Sequence, residues 1–411
     1  MRSVSRAERN LNTTTEIAEL KRNVLTHQSR GFWRMASMKT ELKKAWQFLR
    51  STEFWRMAVL WNLSILYSYL LLFFQRFLSL SIKHRSGTSY SYERASSCTS
   101  EDVVPLCVIT GATSGLGAAA ALALSKRGFY VVLAGRSRHL LLKTMSEIKR
   151  QNEKALLKAF QVDLLSVQSI LDFKNSFQLW LQGSKMHPSL QLLINNAGIL
   201  ATSSRSTSEG YDQMMATNYV GPFFLTQMLL PLLKNSPFPS RIVNVSSFTH
   251  RVFDVRVDED TVCGKRFVGL DQYPCASIYE YSKLCLLLFS YELHRKLSLE
   301  NGSNKVTVVV ADPGVVKTNI MREVPTYLSR VAFTILRLLR LLQLPEDGVN
   351  SILDAAFALP DTSGVYFFGG NGRTVKSSAR SYDTKLAKEL WATSSNLFLK
   401  SQIAIEGVTS Y

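Results

Sequence analysis

The sequence predicts an α/β fold: an open parallel sheet, doubly wound with helices on both faces, in a single domain preceded by an apolar helix. Three observations predict it. From Val103 onward, apolar runs of strand length alternate with longer helical stretches. The first run passes through a glycine turn directly into an alanine-rich helix. Residues able to do chemistry collect where the runs end, the edge at which open parallel sheets bind ligands.

Residues 1–56 carry 12 Lys and Arg against 5 Glu and read as a basic segment without regular structure. They lack the short apolar core of a cleaved secretory signal. Their Ser, Thr and Arg content leaves an organelle transit peptide open, a reading the glutamates weaken. Met57 to Gln75 then holds 19 uncharged residues between Arg56 and Arg76, and FLSLSI continues to Ile82. At about 1.5 Å per residue this nearly crosses a hydrocarbon core of about 30 Å. Trp55, Trp61, Phe73, Phe74 and Phe77 suit the two interfaces. Residues 57–82 are therefore expected to form a transmembrane or membrane-anchoring helix, with a buried or interfacial helix as the alternative. Basic residues on both sides leave its orientation open. Residues 83–102, rich in Ser, Tyr and Arg, read as a linker.

The folded α/β domain is expected over residues 103–395, with a tail at 396–411. Its first strand stops at Thr110, and the turn with Gly111, Gly115 and Gly117 opens a helix reaching Arg127. Strands follow at Tyr130–Gly135, within Ala155–Leu164, at Leu190–Gly198, Arg241–Ser247, Lys305–Gly314 and Gly364–Gly370. Helices fall at Arg138–Asn152, Val167–Leu181, Gly210–Leu233 and Ser277–Leu299. A basic amphipathic helix is expected at Tyr327–Leu344, with Arg330, Arg337 and Arg340 on its polar face, a pattern suited to an anionic membrane surface.

Composition narrows the function. A net charge of +18 calls for an acidic surface or anionic ligand, yet no zinc spacing, basic repeat or aromatic RNA-binding signature accompanies it, so nucleic acid is not expected as a partner. Five cysteines without CxxC spacing imply free thiols in a reducing compartment. The scattered histidines give no metal site.

The glycine turn brings bare backbone to a helix N-terminus, where N–H groups and the helix dipole favour a pyrophosphate. After the second strand, where an NAD-binding unit would carry an acidic residue, the chain has Arg136, whose guanidinium suits a 2′-phosphate; NADP is favoured over NAD. Asp163 after the third strand is placed to reach the adenine. Tyr279 and Lys283, four residues apart, share one helix face. A phenol of pKa about 10 becomes a usable acid and base near pH 7 only if neighbouring charges supply roughly 4 kcal/mol. The Lys283 ammonium and a cationic nicotinamide are the groups expected to do so. Ser247 ends the fifth strand, where its hydroxyl can hold a substrate oxygen. Asn218 sits inside a helix, an awkward place unless its amide is used.

Together TGATSGLG, NNAG, the Asn of NYVG, the Ser of VNVSS, YEYSK and DPGVVKT resemble the short-chain dehydrogenase/reductase family in order and spacing, over about Val103 to Ser395. The resemblance implies a Rossmann-type sheet with Tyr279 as proton donor, Lys283 lowering its pKa and holding the nicotinamide ribose, Ser247 orienting the carbonyl, and Asn218 relaying through water to Lys283. It implies that Gly111, Thr113, Ser114, Gly115, Leu116 and Gly117 hold the pyrophosphate. Arg136, Asp163 and Leu164 then lie along the adenosine, Asn195, Ala197 and Gly198 wall the cleft, and Pro313, Gly314 and Thr318 clamp the nicotinamide.

AGR, VNVSSFTHR and PEDGVNSILDAA are similar to the retinol dehydrogenase-like and chromosome-X dehydrogenase/reductase-like branch. That branch implies a membrane-anchored enzyme acting on a retinoid-, steroid- or polyprenoid-like alcohol or aldehyde. The implied membrane is the endoplasmic reticulum with a cytosol-facing catalytic domain, a chloroplast or mitochondrial membrane being the alternative. Two departures are the long basic N-terminus and the step from Ser247 to Tyr279, which makes Val252–Cys275 an expected inserted loop at the active-site mouth. Oligomeric state is left open. A membrane-bound nucleotide-sensing or scaffold subunit without turnover is the second hypothesis, disfavoured by the intact Asn218, Ser247, Tyr279 and Lys283.

Overall fold

The computed structural model describes residues 42–43, 45–81, 104–184, 186–251, 256–270, 272–300 and 306–409. Most of the expected basic segment and the whole linker at 83–102 lie outside them.

Seven parallel strands form the sheet: β1 Leu106–Thr110, β2 Tyr130–Gly135, β3 Leu156–Gln161, β4 Leu192–Asn195, β5 Ser240–Val245, β6 Val306–Asp312 and, last in sequence, Val365–Phe368. That last strand is β9, because the two-residue strands β7 Val315–Val316 and β8 Leu342–Gln343 pair separately beside the sheet. The spatial order β3-β2-β1-β4-β5-β6-β9 reverses direction between β1 and β4, which leaves a crevice at their carboxyl ends. The central strands are mostly apolar without alternation because both faces are covered, while the edge strand β3 exposes Leu156 and Gln161. Leu106 and Val108 of β1 face one core with Val132 and Ala134 of β2; Cys107 and Ile109 face the other with Val131 and Leu133.

The second of these cores is closed by α2 Gly115–Ser125, α3 Arg138–Gln151 and α8 Asn350–Ala356. The first is closed by α4 Val167–Gly183, α5 Gln213–Lys234, α6 Cys275–Ser298 and α9 Thr384–Thr409. Helix α5 contains a π-helical turn at Ala216–Val220. Helix α9 runs through the expected tail as far as Thr409 without a break, burying Leu397 and packing the Phe398 ring against Phe224, centre to centre 5.1 Å. Residues 396–409 thus belong to the domain. The amphipathic helix α7, Thr326–Leu338, stops before the expected Leu344 because the chain turns at Arg340, φ 57°, to pair β8 with β7.

The described part of the expected inserted loop does not reach the active-site mouth. Its short helix Glu259–Val262 is tied to α9 by Lys400, whose Nζ meets Glu259 at 2.7 Å. Cys263 O accepts from Asp212 N at 2.8 Å and Tyr273 donates to the Asp212 carboxylate at 2.7 Å, so the segment wraps the start of α5.

The apolar N-terminal helix, α1, starts earlier than expected. It runs as Thr52–Trp55, a π-helical turn Arg56–Trp61, and Asn62–Ser81. By length and composition its Thr52–Gln75 stretch could cross a membrane. One side of it packs on the domain: Ile65 is buried with Phe248, Tyr291, Val310, Tyr366 and Phe368. Among the described residues all four cysteines are free and buried, and no group of three or more metal-ligating side chains occurs.

Candidate active site

The carboxyl ends of β1, β4, β5 and β6 open into one cleft of about 720 Å³. Its floor begins at the glycine turn. Gly111 and Gly115 have φ of 66° and 52°, and a Cβ on Gly117 would lie 2.3 Å from Gly111 O. Only glycine fits Gly117 with the turn closed this tightly. The turn is stitched to the end of β4: the Thr110 hydroxyl accepts from Asn196 N at 3.0 Å and Ala197 N at 3.1 Å, and Asn196 Nδ2 donates to Thr110 O at 2.8 Å. Thr113, Ser114, Gly115, Leu116 and Gly117 line the cleft, where the first amides of α2 have no acceptor within their own helix.

Arg136 is exposed at the rim, while Asp163 and Leu164 line the wall; the Asp163 carboxylate accepts from Leu165 N at 3.1 Å. Ala197, Gly198, Pro313, Gly314 and Thr318 also line it. Asn195 does not. Its amide turns into the sheet edge, donating to Thr226 Oγ1 at 2.9 Å and Asn244 Oδ1 at 2.8 Å, and Asn196 takes the cleft-facing place instead. Alternation along β4 decides this, since successive side chains point to opposite faces.

Tyr279, Lys283 and Ser247 meet at the far end. The Lys283 ammonium lies 5.7 Å from the Tyr279 ring centre and donates to Val245 O at 3.0 Å. Ser247 is within hydrogen-bonding reach of the Tyr279 hydroxyl. Burial pushes Lys283 down to about 8. Burial, with the negative field of Asp312, pushes the Tyr279 phenol up, opposite to the lowering expected from Lys283; the Ser247 hydrogen bond offsets only part of it. Protein groups alone thus hold Tyr279 as a neutral phenol. Asp312 is itself pushed up to about 6 by burial, against hydrogen bonds from Tyr366 and from Gly314 N at 2.8 Å.

Asn218 occupies the π-helical turn of α5, a device that frequently marks functional sites. It is set back from the cleft surface. Its Oδ1 accepts from Ile199 N at 2.8 Å, and its Nδ2 donates to Ile199 O at 3.0 Å and Ser282 Oγ at 3.1 Å. The amide therefore fixes the strand end beside Lys283, a use that relieves the awkwardness of Asn inside a helix. Sequence reasoning missed the opposite wall, built by Phe54, Met57, Ala58, Trp61 and Ile65 of α1 together with Leu328, Val331 and Leu336 of α7. The available signal was Glu280, a carboxylate directly beside Tyr279 that ends up buried.

The residues present fit a nicotinamide dinucleotide: a glycine cradle that a Cβ would fill, a carboxylate and a guanidinium farther along the wall, and a buried phenol at the end. A profile of the short chain dehydrogenase family matches residues 105–253. The human polyprenol dehydrogenase is 34% identical over 297 residues, covering 70% of this chain and 83% of that protein. Human retinol dehydrogenase 13 is 31% identical over 312 residues, covering 74% and 88%. Among solved structures, an uncharacterized protein from Mycobacterium Paratuberculosis superposes with a TM-score of 0.52 at 28% identity, covering 72% of this chain and 96% of its own.

Proposed function

This chain belongs to the short-chain dehydrogenase family, an NAD(P)-using oxidoreductase family, and from that premise we propose that it is a membrane-associated, NADP-dependent oxidoreductase interconverting a lipophilic alcohol and its aldehyde or ketone. The single observation carrying the proposal is the meeting of Tyr279, Lys283 and Ser247 with the glycine cradle in one cleft whose outer walls are apolar. Gly111 and Thr113 to Gly117 would hold the pyrophosphate, Arg136 the 2′-phosphate, and Asp163 and Leu164 the adenosine. Pro313, Gly314 and Thr318 would hold the nicotinamide. When bound, the dinucleotide supplies the hydride to the carbonyl carbon or accepts it in the reverse direction.

The chain's own groups handle the proton. Ser247 and Tyr279 hold the carbonyl oxygen, and the Tyr279 O–H donates its proton as that oxygen becomes a hydroxyl. Burial keeps the Tyr279 phenol protonated, the form that donates. Lys283, fixed by Val245 O, presents positive charge where the phenolate forms. Asn218 holds Ile199, in the segment after β4, and Ser282, the residue before Lys283.

Polyprenol and retinol dehydrogenases among the relatives support a long apolar substrate. So do the outer faces of α1 and α7, where Trp55, Leu63, Leu66, Phe73 and Phe74, and Val331, Ile335 and Leu338, are exposed beside the cleft. Arg330 and Arg337 on α7 suit anionic headgroups, and the proposal includes a catalytic domain facing the cytosol at the endoplasmic reticulum membrane. The test uses the purified, detergent-solubilised full chain with NADPH and a panel of lipid aldehydes and ketones. NADPH consumption with a prenyl or retinoid aldehyde that disappears in Tyr279→Phe supports the reading. Consumption with none of them, or consumption surviving Tyr279→Phe, refutes it.

A further inference from the structure

Helix α1 is wired to the two elements that carry Tyr279 and Ser247. Glu280, the residue after Tyr279, is 3% exposed, and its carboxylate accepts from Arg56 Nε at 2.9 and 3.0 Å and from Arg56 Nη2 at 2.6 Å. Trp61 Nε1 donates to the same carboxylate at 2.7 Å, which sets the indole with its ring centre 5.6 Å from that of Tyr279. The Glu53 carboxylate accepts from Ala276 N at 2.7 Å and Ser277 N at 3.2 Å, satisfying amides of the first turn of α6. The Ser64 hydroxyl donates to Phe248 O, next to Ser247. Arg56 and Trp61 bound the π-helical turn of α1, whose wider backbone brings both toward one carboxylate.

An apolar helix serving only to hold a protein on a membrane needs none of these contacts. A buried carboxylate bonded by a guanidinium and an indole N–H is directional, and it fixes Trp61 in one orientation on the cleft wall. Trp61 lines the cleft in the same wall as Leu328, Val331 and Leu336 of α7. Resting on the lipid-carbonyl reading above, we infer that Trp61 is a specificity-determining wall for the chain of the substrate. Glu280 and Arg56 are the positioning residues that hold it beside Tyr279. Substrate selection is thereby built into the N-terminal helix rather than confined to the family domain.

The test compares farnesal with prenal, a long and a short prenyl aldehyde, using the full chain in detergent with NADPH. Trp61→Ala should lower the ratio of kcat/KM for farnesal over prenal about ten-fold, mainly through KM for farnesal, and Trp61→Phe should recover most of that ratio. Arg56→Ala should act in the same direction, and Arg56→Lys, which keeps a cation beside the Glu280 carboxylate, should recover part of the ratio. A purely structural role predicts equal losses on both aldehydes and a fall in kcat. All-trans-retinol binding, followed by its own fluorescence, reads the same wall without turnover and should weaken about ten-fold in Trp61→Ala. An inactive wild type whose retinol affinity still falls on Trp61→Ala overturns the assigned reaction and supports Trp61 as a lipid wall. Unchanged retinol affinity in Trp61→Ala, or an unchanged ratio across the folded variants, overturns the inference.

Discussion

Replacing Gly117 with Ala tests the cradle with a single methyl group. That Cβ would lie 2.3 Å from Gly111 O and 2.5 Å from Asn196 Nδ2. Ordinary contact begins near 3.4 Å, so the turn must retreat by about 1 Å and Asn196 must give way as well. Overpacking of this kind costs about 1 to 3 kcal/mol. Displacing the Asn196 amide from Thr110 O, a 2.8 Å hydrogen bond, adds about 1 kcal/mol. The total of about 2 to 4 kcal/mol is shared between folding and dinucleotide binding. The expected result is a lower Tm together with at least a ten-fold weaker Kd for NADPH, about 1.4 kcal/mol, read by calorimetry on the folded variant. Gly183→Ala is the control, because nothing lies within 4 Å of its added Cβ; it should leave Kd unchanged. Wild-type NADPH affinity in Gly117→Ala would refute the assignment of this turn to the pyrophosphate.

Three further predictions follow from particular contacts. Tyr279→Phe keeps the ring against Trp61 but removes the proton, so kcat should fall by about 10² to 10⁴ while the NADPH Kd stays near wild type; a retained kcat would assign the proton elsewhere. Burial lowers Lys283 from 10.5 to about 8, so between those values the native state binds fewer protons than the unfolded chain. Stability contributed by this group therefore rises with pH across that window. In denaturant titrations the wild type should gain on Lys283→Met from about pH 8 to 10.5, and a loss over that range would contradict the burial argument. Arg241 is buried and donates to the carbonyls of Ala355, Ala356, Ala358 and Leu359 at the end of α8. Arg241→Met should orphan them and cost about 2 to 4 kcal/mol, seen as a lowered denaturation midpoint with unchanged NADPH affinity at low temperature.

Most of the sheet was legible because the central strands are short, mostly apolar runs bounded by turn residues, buried on both faces. The Tyr279–Lys283 pair was legible because a helix places residues four apart on one face whatever surrounds it. Asn195 shows where such reading stops. The motif names two adjacent amides, and only the pleat of β4 against β1 and β5 sends Asn195 inward and Asn196 to the cleft. The segment at 256–270 shows the same limit: its length announced an insertion, but the contacts of Cys263 with Asp212 and of Glu259 with Lys400 decided which end of the domain it covers.

By itself, then, the sequence determined what local rules control: the alternation of elements, the glycine turn and the residues gathered at the strand ends. Tertiary structure decided the direction of the Tyr279 shift, because burial acts through every neighbour at once while spacing reveals only Lys283. It also decided that an apolar helix resembling a simple membrane anchor docks against α6, through partners such as Arg56 and Glu280 that stand 224 residues apart. No periodicity within either segment encodes that meeting, since it arises only when the folded sheet brings α6 to the surface on which α1 lies.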